Sequence, residues 1–312
     1  MFWWVRMFAS VWNGIRAGVQ GMPELPEVET VRRGLSQQGC DAVVVGVGVF
    51  GERVLRGQAV EEFVSRMTGA RLGSATRRGK FILVPLSSSV PGADWLCLHF
   101  NMRGLLRWAS AGDPPERYDR VSLDLADGRS LRFHDVWGWG EVRALSAAER
   151  ESIPSLSAMG PEPLGESWVW EDLRDRFRGR GTAVKTVLLD QSVVAGVGNI
   201  YADESLHRAG IDPRLPAGSL SEPAVIRLVS AVREVLTEAV ASGGSAGEYM
   251  DLDGNPGRYL PRVYGRAGEP CQCCGAVLER VRLGGRGTTW CPRCQPPAGG
   301  ADKTHEGIAH PE

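Results

Sequence analysis

The chain has 312 residues, a formal net charge of −1 and seven cysteines. Its length is enough for two or three domains with their own cores, and its near-zero charge excludes nucleic-acid binding through bulk charge alone. Two cysteines stand alone and five lie between positions 271 and 294, which argues against a disulfide scaffold and for a metal site in a reducing cytoplasm.

Residues 1–22 are apolar and rich in tryptophan, but Arg6 interrupts the run. No stretch reaches the ~20 apolar residues of a membrane span, and the pattern does not match a signal peptide. We therefore expect no membrane association. We interpret residues 1–22 as an extension from a mis-assigned start, with Met22 as the true initiator.

The stretch from Met22 to Thr30 predicts the start of a helix, because Pro26 suits a first helical position and Gly39 can end the helix. If Met22 is removed, Pro23 becomes an N-terminal secondary amine beside the carboxylate of Glu24. Such an amine can attack a sugar carbon, and the acid can protonate the leaving oxygen. The alternative is a helix cap without chemistry.

From residue 42 to about residue 142, short β-branched and apolar runs separated by turn signals predict a sandwich or flattened barrel. Asp127-Gly128 marks a tight hairpin. Basic side chains also cluster here: residues 66–80 carry five and no acid. A basic cluster of this kind is typical of surfaces that bind nucleic acid. A run of charged residues is, however, more often only a solvent-exposed face.

The second half of the chain predicts helices at residues 168–177, 185–189 and 221–242. Between them Gly196 and Gly198 allow close backbone approach, and Asn199 opens a helix whose N-terminus can bind a DNA phosphate. The alternative is a glycine-rich turn that Asn199 caps. Residues 243–260 form a segment longer than most connections between helices and strands, and loops of this length are usually functional or disordered.

Cysteine spacing gives the clearest local signal. Cys271 and Cys274 form one C-x2-C pair, and Cys291 and Cys294 form another. This spacing fits one tetrahedral Zn²⁺ held by two knuckles, and four thiolates make its role structural. Cys273 would break the pairing, so we leave it without a ligand role.

Three motifs together resemble the bacterial formamidopyrimidine-DNA glycosylase family, and the resemblance runs from Pro23 to Gln295. They are PELPEVET at residues 23–30, the helix–two-turn–helix signature at residues 195–203, and the cysteine pairs. The implied fold is an α+β multidomain protein: an N-terminal β-sandwich with a leading helix, a helical helix–two-turn–helix domain and a C-terminal zinc-finger β-hairpin.

The resemblance also implies domain bounds. The catalytic β-sandwich domain is expected at residues 23–150, a linker at 151–165 and the helical domain at 166–260, with a lesion-capping loop at 243–260. The zinc finger is expected at 261–295, and a disordered tail follows at 296–312.

By resemblance, Pro23 attacks C1′ of the damaged nucleotide, Glu24 supplies the acid, and Lys80 and Arg286 assist near the flanking phosphates. Met102 and Trp139 are expected to wedge into the space that the flipped base leaves. The remaining DNA contacts implied by matching positions are Asn199, Arg180, Lys185 and Tyr118. Tyr118 departs from the family, which often has a histidine there.

Trp137 is a second departure, because relatives have at this position an arginine that reads the orphaned base. An indole has a single hydrogen-bond donor and lacks the forked set of donors that a guanidinium has. We therefore expect Trp137 to stack without reading the orphaned base. The protein should then select only weakly between cytosine and adenine opposite the lesion, or have an altered substrate preference.

The predicted function is therefore a bifunctional glycosylase and lyase for oxidised purines in base excision repair. It would act as a monomer on double-stranded DNA that contains an oxidised purine or an abasic site, in the cytoplasm at the nucleoid. Alternatives are a Nei-like or divergent member with another lesion preference, and a non-catalytic zinc-finger DNA-binding protein. A zinc deaminase is excluded because no H-x-E precedes the second knuckle.

Overall fold

The computed structural model describes residues 22–247 and 249–297. The predicted extension ahead of Met22 and the tail beyond residue 297 lie outside the described residues. The sandwich, the helical domain and the finger hairpin all follow in the predicted order, so the predicted architecture is confirmed.

Among the described residues the first helix, α1, spans Leu25–Gly39 and has Pro26 in its first turn, as its sequence predicts. Its residues divide between two cores: Leu25 packs in the core of the helical domain, whereas Val28 and Val31 pack in the core of the sandwich. This helix therefore joins the two domains and places the residues ahead of it at their junction.

Two antiparallel sheets form the sandwich. The first has the order β1-β7-β8-β6, and the second has the order β2-β4-β5-β9 with β3 paired to β4. The strands are β1 Val44–Val49, β2 Arg71–Leu72, β3 Thr76–Arg78, β4 Phe81–Ser87, β5 Trp95–His99, β6 Gly104–Ser110, β7 Asp119–Leu125, β8 Arg129–Asp135 and β9 Glu141–Leu145. Helix α2 spans Val60–Met67, after a 3-10 turn at Glu52–Leu55.

Six helices follow: α3 Ala147–Glu151, α4 Pro154–Ser157, α5 Trp170–Phe177, α6 Val184–Leu188, α7 Asn199–Ala209 and α8 Glu222–Ala241. Helix α4 lies inside the predicted linker, so that segment is partly helical. Helices α7 and α8 pack along each other around a core of valine, leucine and alanine side chains. No helix among the described residues is both long enough and apolar enough to cross a membrane.

The zinc-finger hairpin consists of β10 Glu279–Leu283 and β11 Arg286–Trp290. Its turn is short. Gly284 and Gly285 alone connect the strands, both at positive φ, whereas Thr288 and Thr289 lie in β11 and are buried.

The segment at residues 243–260 returns to the sandwich. Tyr249 and Leu252 are buried in the sandwich core, and the Gln38 side chain on α1 donates a 2.9 Å hydrogen bond to the Asp253 carboxylate. This segment therefore forms a second bridge between the two domains.

Candidate active site

The carboxylate of Glu24 lies at the N-terminus of α7. It accepts backbone hydrogen bonds from Gly198 at 2.8 Å, Ile200 at 2.9 Å and Tyr201 at 3.3 Å, and the residue is 2% exposed. A helix N-terminus is a natural anion site, and here a protein carboxylate fills it. Pro23 directly precedes this carboxylate in the chain.

This arrangement corrects the predicted use of the glycine-rich segment. Gly198 leaves room for Glu24, since a β-carbon there would collide with the Glu24 carboxyl group. Gly196, at φ +80°, accepts a 3.0 Å hydrogen bond from the Leu25 amide through its carbonyl. The amides of Gly198, Ile200 and Tyr201 are thus already bound to Glu24, and the phosphate contact of Asn199 stays a prediction.

Burial raises the pKa of Glu24 to about 7, and this effect exceeds the opposing influence of the Lys80 charge. The carboxylate of Glu27 raises the pKa further, whereas the backbone hydrogen bonds from α7 lower it. A carboxylic acid with such a pKa carries its proton in a large fraction of molecules at neutral pH. It is therefore suited to general acid catalysis.

Glu27 is a buried carboxylate that connects three parts of the chain. It accepts hydrogen bonds from the Glu24 amide at 3.0 Å, the Tyr201 hydroxyl at 2.5 Å and the Ser245 amide at 2.8 Å. The sequence around Glu27 carries no signal of this role, because the partners Tyr201 and Ser245 lie more than 170 positions away along the chain. Glu27 and Tyr201 are structural parts of the site that sequence reasoning missed.

Lys80 directly precedes β4 and is mostly buried, so it does not lie at an exposed strand edge. Burial lowers its pKa, the Glu24 and Glu27 charges oppose that shift, and the Arg286 guanidinium adds to it. Lys80 lines a cavity of about 450 Å³ together with Arg56, His99 and other residues. A cavity of this volume is within the range of ligand sites.

Most of the basic run at residues 66–80 is paired inside the protein and is not a solvated face. Arg66 pairs with Glu149 at 2.7 Å, and Arg77 and Arg78 both pair with Glu162, at 2.7 and 3.1 Å. These pairs fix the turn that carries Lys80. The run is therefore largely structural, and Lys80 is the member placed beside Glu24.

Lys185, one of the predicted DNA contacts, lies inside the protein. Its side chain is fully buried, pairs with Asp203 at 2.7 Å and donates a 2.8 Å hydrogen bond to the Gly287 carbonyl in β11. Asp203 also accepts a 3.0 Å hydrogen bond from the Thr289 amide. The ammonium thus attaches the finger hairpin to α7, and the direct DNA contact of Lys185 stays a prediction.

Arg286, which this attachment orients, begins β11 next to the turn and is exposed. Arg180 is partly exposed and lies 3.5 Å from Asp190. Asn199 begins α7, and its side-chain oxygen is buried without a hydrogen-bond partner among the described residues. Tyr118, ahead of β7, packs edge-on against His134 at a ring distance of 5.8 Å.

The predicted wedge residues come together at one edge of the sandwich. Trp137 and Trp139 are 41% and 40% exposed, and their ring centroids lie 4.8 Å apart. Met102 lies in the turn between β5 and β6, where Asn101 donates a hydrogen bond to the Trp139 carbonyl. The guanidinium of the next residue, Arg103, lies 5.0 Å from the Trp137 ring centroid, a neighbour that sequence reasoning missed.

The four predicted cysteines form one cluster in which all the Sγ atoms lie within 4.8 Å of one another. Pairs of sulfurs lie 3.4 and 3.9 Å apart, and tetrahedral Zn–S bonds of about 2.3 Å require about 3.8 Å. The residues therefore fit one structural zinc. His207 of α7 lies 3.5 Å from the Cys271 sulfur, and Cys273 is exposed beside them.

Comparison with known proteins agrees with this geometry. The family models for the formamidopyrimidine-DNA glycosylase N-terminal domain, its H2TH domain and the zinc finger found in FPG and IleRS match residues 22–142, 159–250 and 268–297. The formamidopyrimidine-DNA glycosylase of Pseudomonas paraeruginosa is 41% identical over 88% of this chain and its own full length. That of Acidithiobacillus ferrooxidans is 43% identical with the same coverage.

Solved structures give the same result. The MutM (Fpg) protein of Thermus thermophilus superposes with a TM-score of 0.78 at 39% identity, over 88% of this chain and 98% of its own. The Lactococcus lactis Fpg bound to abasic-site DNA superposes with a TM-score of 0.81 at 31% identity, over 88% and 100%. Since three consecutive family models, full-length relatives and the fold all coincide, the chain belongs to the formamidopyrimidine-DNA glycosylase family.

Proposed function

We propose that this protein removes oxidised purines, such as 8-oxoguanine and formamidopyrimidines, from duplex DNA and then cleaves the abasic site, with Pro23 as the nucleophile. The observation that carries the proposal is the position of Glu24. Its carboxyl group has a pKa of about 7, it follows Pro23 in the chain, and it interacts with the buried Lys80. These three groups supply an amine, an acid and a cation at one place.

In the proposed reaction the Pro23 nitrogen attacks C1′, and the glycosidic bond breaks with its electron pair leaving on the base. Glu24 protonates O4′, so the sugar ring opens and an iminium forms between Pro23 and C1′. The iminium acidifies the C2′ proton, and its loss expels the 3′ phosphate. A second elimination expels the 5′ phosphate.

Lys80 and Arg286 are suited to stabilise the two leaving phosphates, because they come from different elements and yet lie close enough for the Arg286 charge to act on Lys80. Lys80 comes from the turn before β4, and Arg286 comes from the finger hairpin. A cation placed where negative charge develops lowers the barrier of such a step.

The patch around Met102, Trp137 and Trp139 is suited to fill the gap that base flipping leaves. A base inside a duplex is out of reach of the chemistry, so the nucleotide must leave the stack. Stacking of a base on an aromatic side chain contributes ~1–3 kcal/mol per base, which helps to offset the free-energy cost of removing a nucleotide from the stack. If the substrate is chromosomal DNA, the enzyme works in the cytoplasm, at the nucleoid.

The test is borohydride trapping on a duplex that contains 8-oxoguanine, with protein that begins at Met22. Reduction of the iminium should leave a covalent complex, and mass spectrometry of its peptides should find the adduct on the nitrogen of Pro23. The isosteric variant Glu24→Gln serves as the control that keeps the nucleophile but lacks the acid. An adduct on a lysine would overturn the role of Pro23, and DNA binding without any adduct would favour the non-catalytic alternative.

A further inference from the structure

The loop that carries Trp137 is held rigidly. The Asp135 carboxylate accepts hydrogen bonds from the backbone amides of Trp137 at 3.0 Å and Gly140 at 2.6 Å. Arg56 and Asn101 both donate to the Trp139 carbonyl, and Asn101 belongs to the turn that carries Met102. The two loops therefore form one fixed surface.

Arg103 places a guanidinium on this surface. Its guanidinium carbon lies over the exposed ring of Trp137, 5.0 Å from the ring centroid, and among residues 22–247 and 249–297 no carboxylate pairs with it. Stacking on an aromatic ring restrains the guanidinium plane and leaves its N–H groups at the edge free to donate. Arg103 thus presents a fork of donors beside the wedge residue Met102.

We propose that Arg103 is the residue that reads the base left opposite the flipped nucleotide, and that it favours cytosine. This inference rests on the proposed function, since an unpaired partner base arises only when the damaged nucleotide leaves the duplex. Trp137 supplies the platform, and Arg103 supplies the directed hydrogen bonds that an indole lacks.

The preference follows from the edges of the bases. A guanidinium has donors only, so it matches an edge with two adjacent acceptors. On the Watson–Crick edge, cytosine offers O2 and N3 side by side. Thymine separates its two acceptors with a donor, adenine combines an acceptor with a donor, and guanine places two donors beside O6.

The test is single-turnover excision of 8-oxoguanine opposite cytosine and opposite adenine, with protein that begins at Met22. A bidentate contact predicts a preference for cytosine of about fivefold to 150-fold. Arg103→Lys keeps the charge and can still stack on Trp137, but it lacks the fork. The ratio of the two rates should therefore fall close to one in this variant.

Arg117→Lys is the matched control, because Arg117 also lies over an aromatic ring, that of Tyr118 at 5.1 Å, on the same domain. This variant should keep the wild-type ratio. A wild-type ratio close to one, or an unchanged ratio in Arg103→Lys, would overturn the assignment of Arg103. Failure of the wild-type protein to excise the lesion opposite any base would instead overturn the proposed function.

Discussion

The ammonium of Lys185 lies 2.7 Å from the carboxylate of Asp203, and both side chains are almost completely shielded from solvent. The pair joins α6 to α7, and its hydrogen bonds to Gly287 and Thr289 extend it to the finger hairpin. The position of Arg286 therefore depends on an ion pair that is buried inside the protein.

Removing one member of this pair should strongly destabilise the protein. Lys185→Met leaves the Asp203 charge buried without its partner, which costs about 3–5 kcal/mol. Urea unfolding monitored by tryptophan fluorescence should show this loss, and Lys185→Met combined with Asp203→Leu should recover part of it. If Lys185→Met unfolds like the wild type but binds DNA more weakly, the ammonium contacts DNA after all.

The pH dependence of the reaction should reflect Glu24. Its pKa is raised from 4.5 to about 7, so the protonated form predominates below that pH and is lost above it. If Glu24 is the acid, the single-turnover rate should fall about tenfold per pH unit once the pH exceeds both that pKa and the pH at which the Pro23 amine is fully deprotonated. Glu24→Gln should remove this fall at high pH and lower the rate by about 10²- to 10⁴-fold. A wild-type rate that shows no fall at high pH would argue against the acid role.

Each chain should bind one zinc ion. Cys291→Ser combined with Cys294→Ser removes one knuckle and should abolish zinc binding, because two thiolates cannot close a tetrahedral structural site. Metal analysis of the purified proteins measures the stoichiometry. Cys273→Ser is the matched control and should keep the ion, since Cys273 lies outside the four-sulfur cluster. Loss of zinc in this control would make Cys273 a ligand.

The nitrogen of Pro23 should react only when it is free. Protein that begins at Met22 and loses that methionine should be trapped on abasic-site DNA by borohydride. Protein that retains residues 1–21 has an amide at this nitrogen, without a basic lone pair, and should not be trapped. N-terminal sequencing of both preparations is the control. Equal trapping by an intact long form would show that another amine is the nucleophile.

The sequence was informative where the signal is local. The cysteine pairs, the start of α1 next to Pro26 and the strand pattern all depend on residues close together in the chain, and the structure confirms each. It was less informative where burial decides the role. Arg180 and Lys185 carry the same charge a few positions apart, but only the packing of the finger hairpin against α7 buries Lys185.

Distant pairing explains the other differences. The basic run at residues 66–80 appeared free because its carboxylate partners, Glu149 and Glu162 among them, lie far along the chain. Arg103 was missed because its stacking on Trp137 depends on the contact between two loops. Neither sequence periodicity nor a motif predicts such a contact.

The three-way connection at Glu27 has a consequence for the newly made protein. The surroundings that raise the pKa of Glu24 come from α1, α7 and the segment after α8, which Glu27 joins. A chain whose last third has not yet been synthesised, or has not docked, exposes Glu24 to water, where its carboxyl group ionises as in any peptide. The raised pKa thus exists only in the completed molecule, so an unfinished chain with a free amine lacks the acid of the proposed reaction.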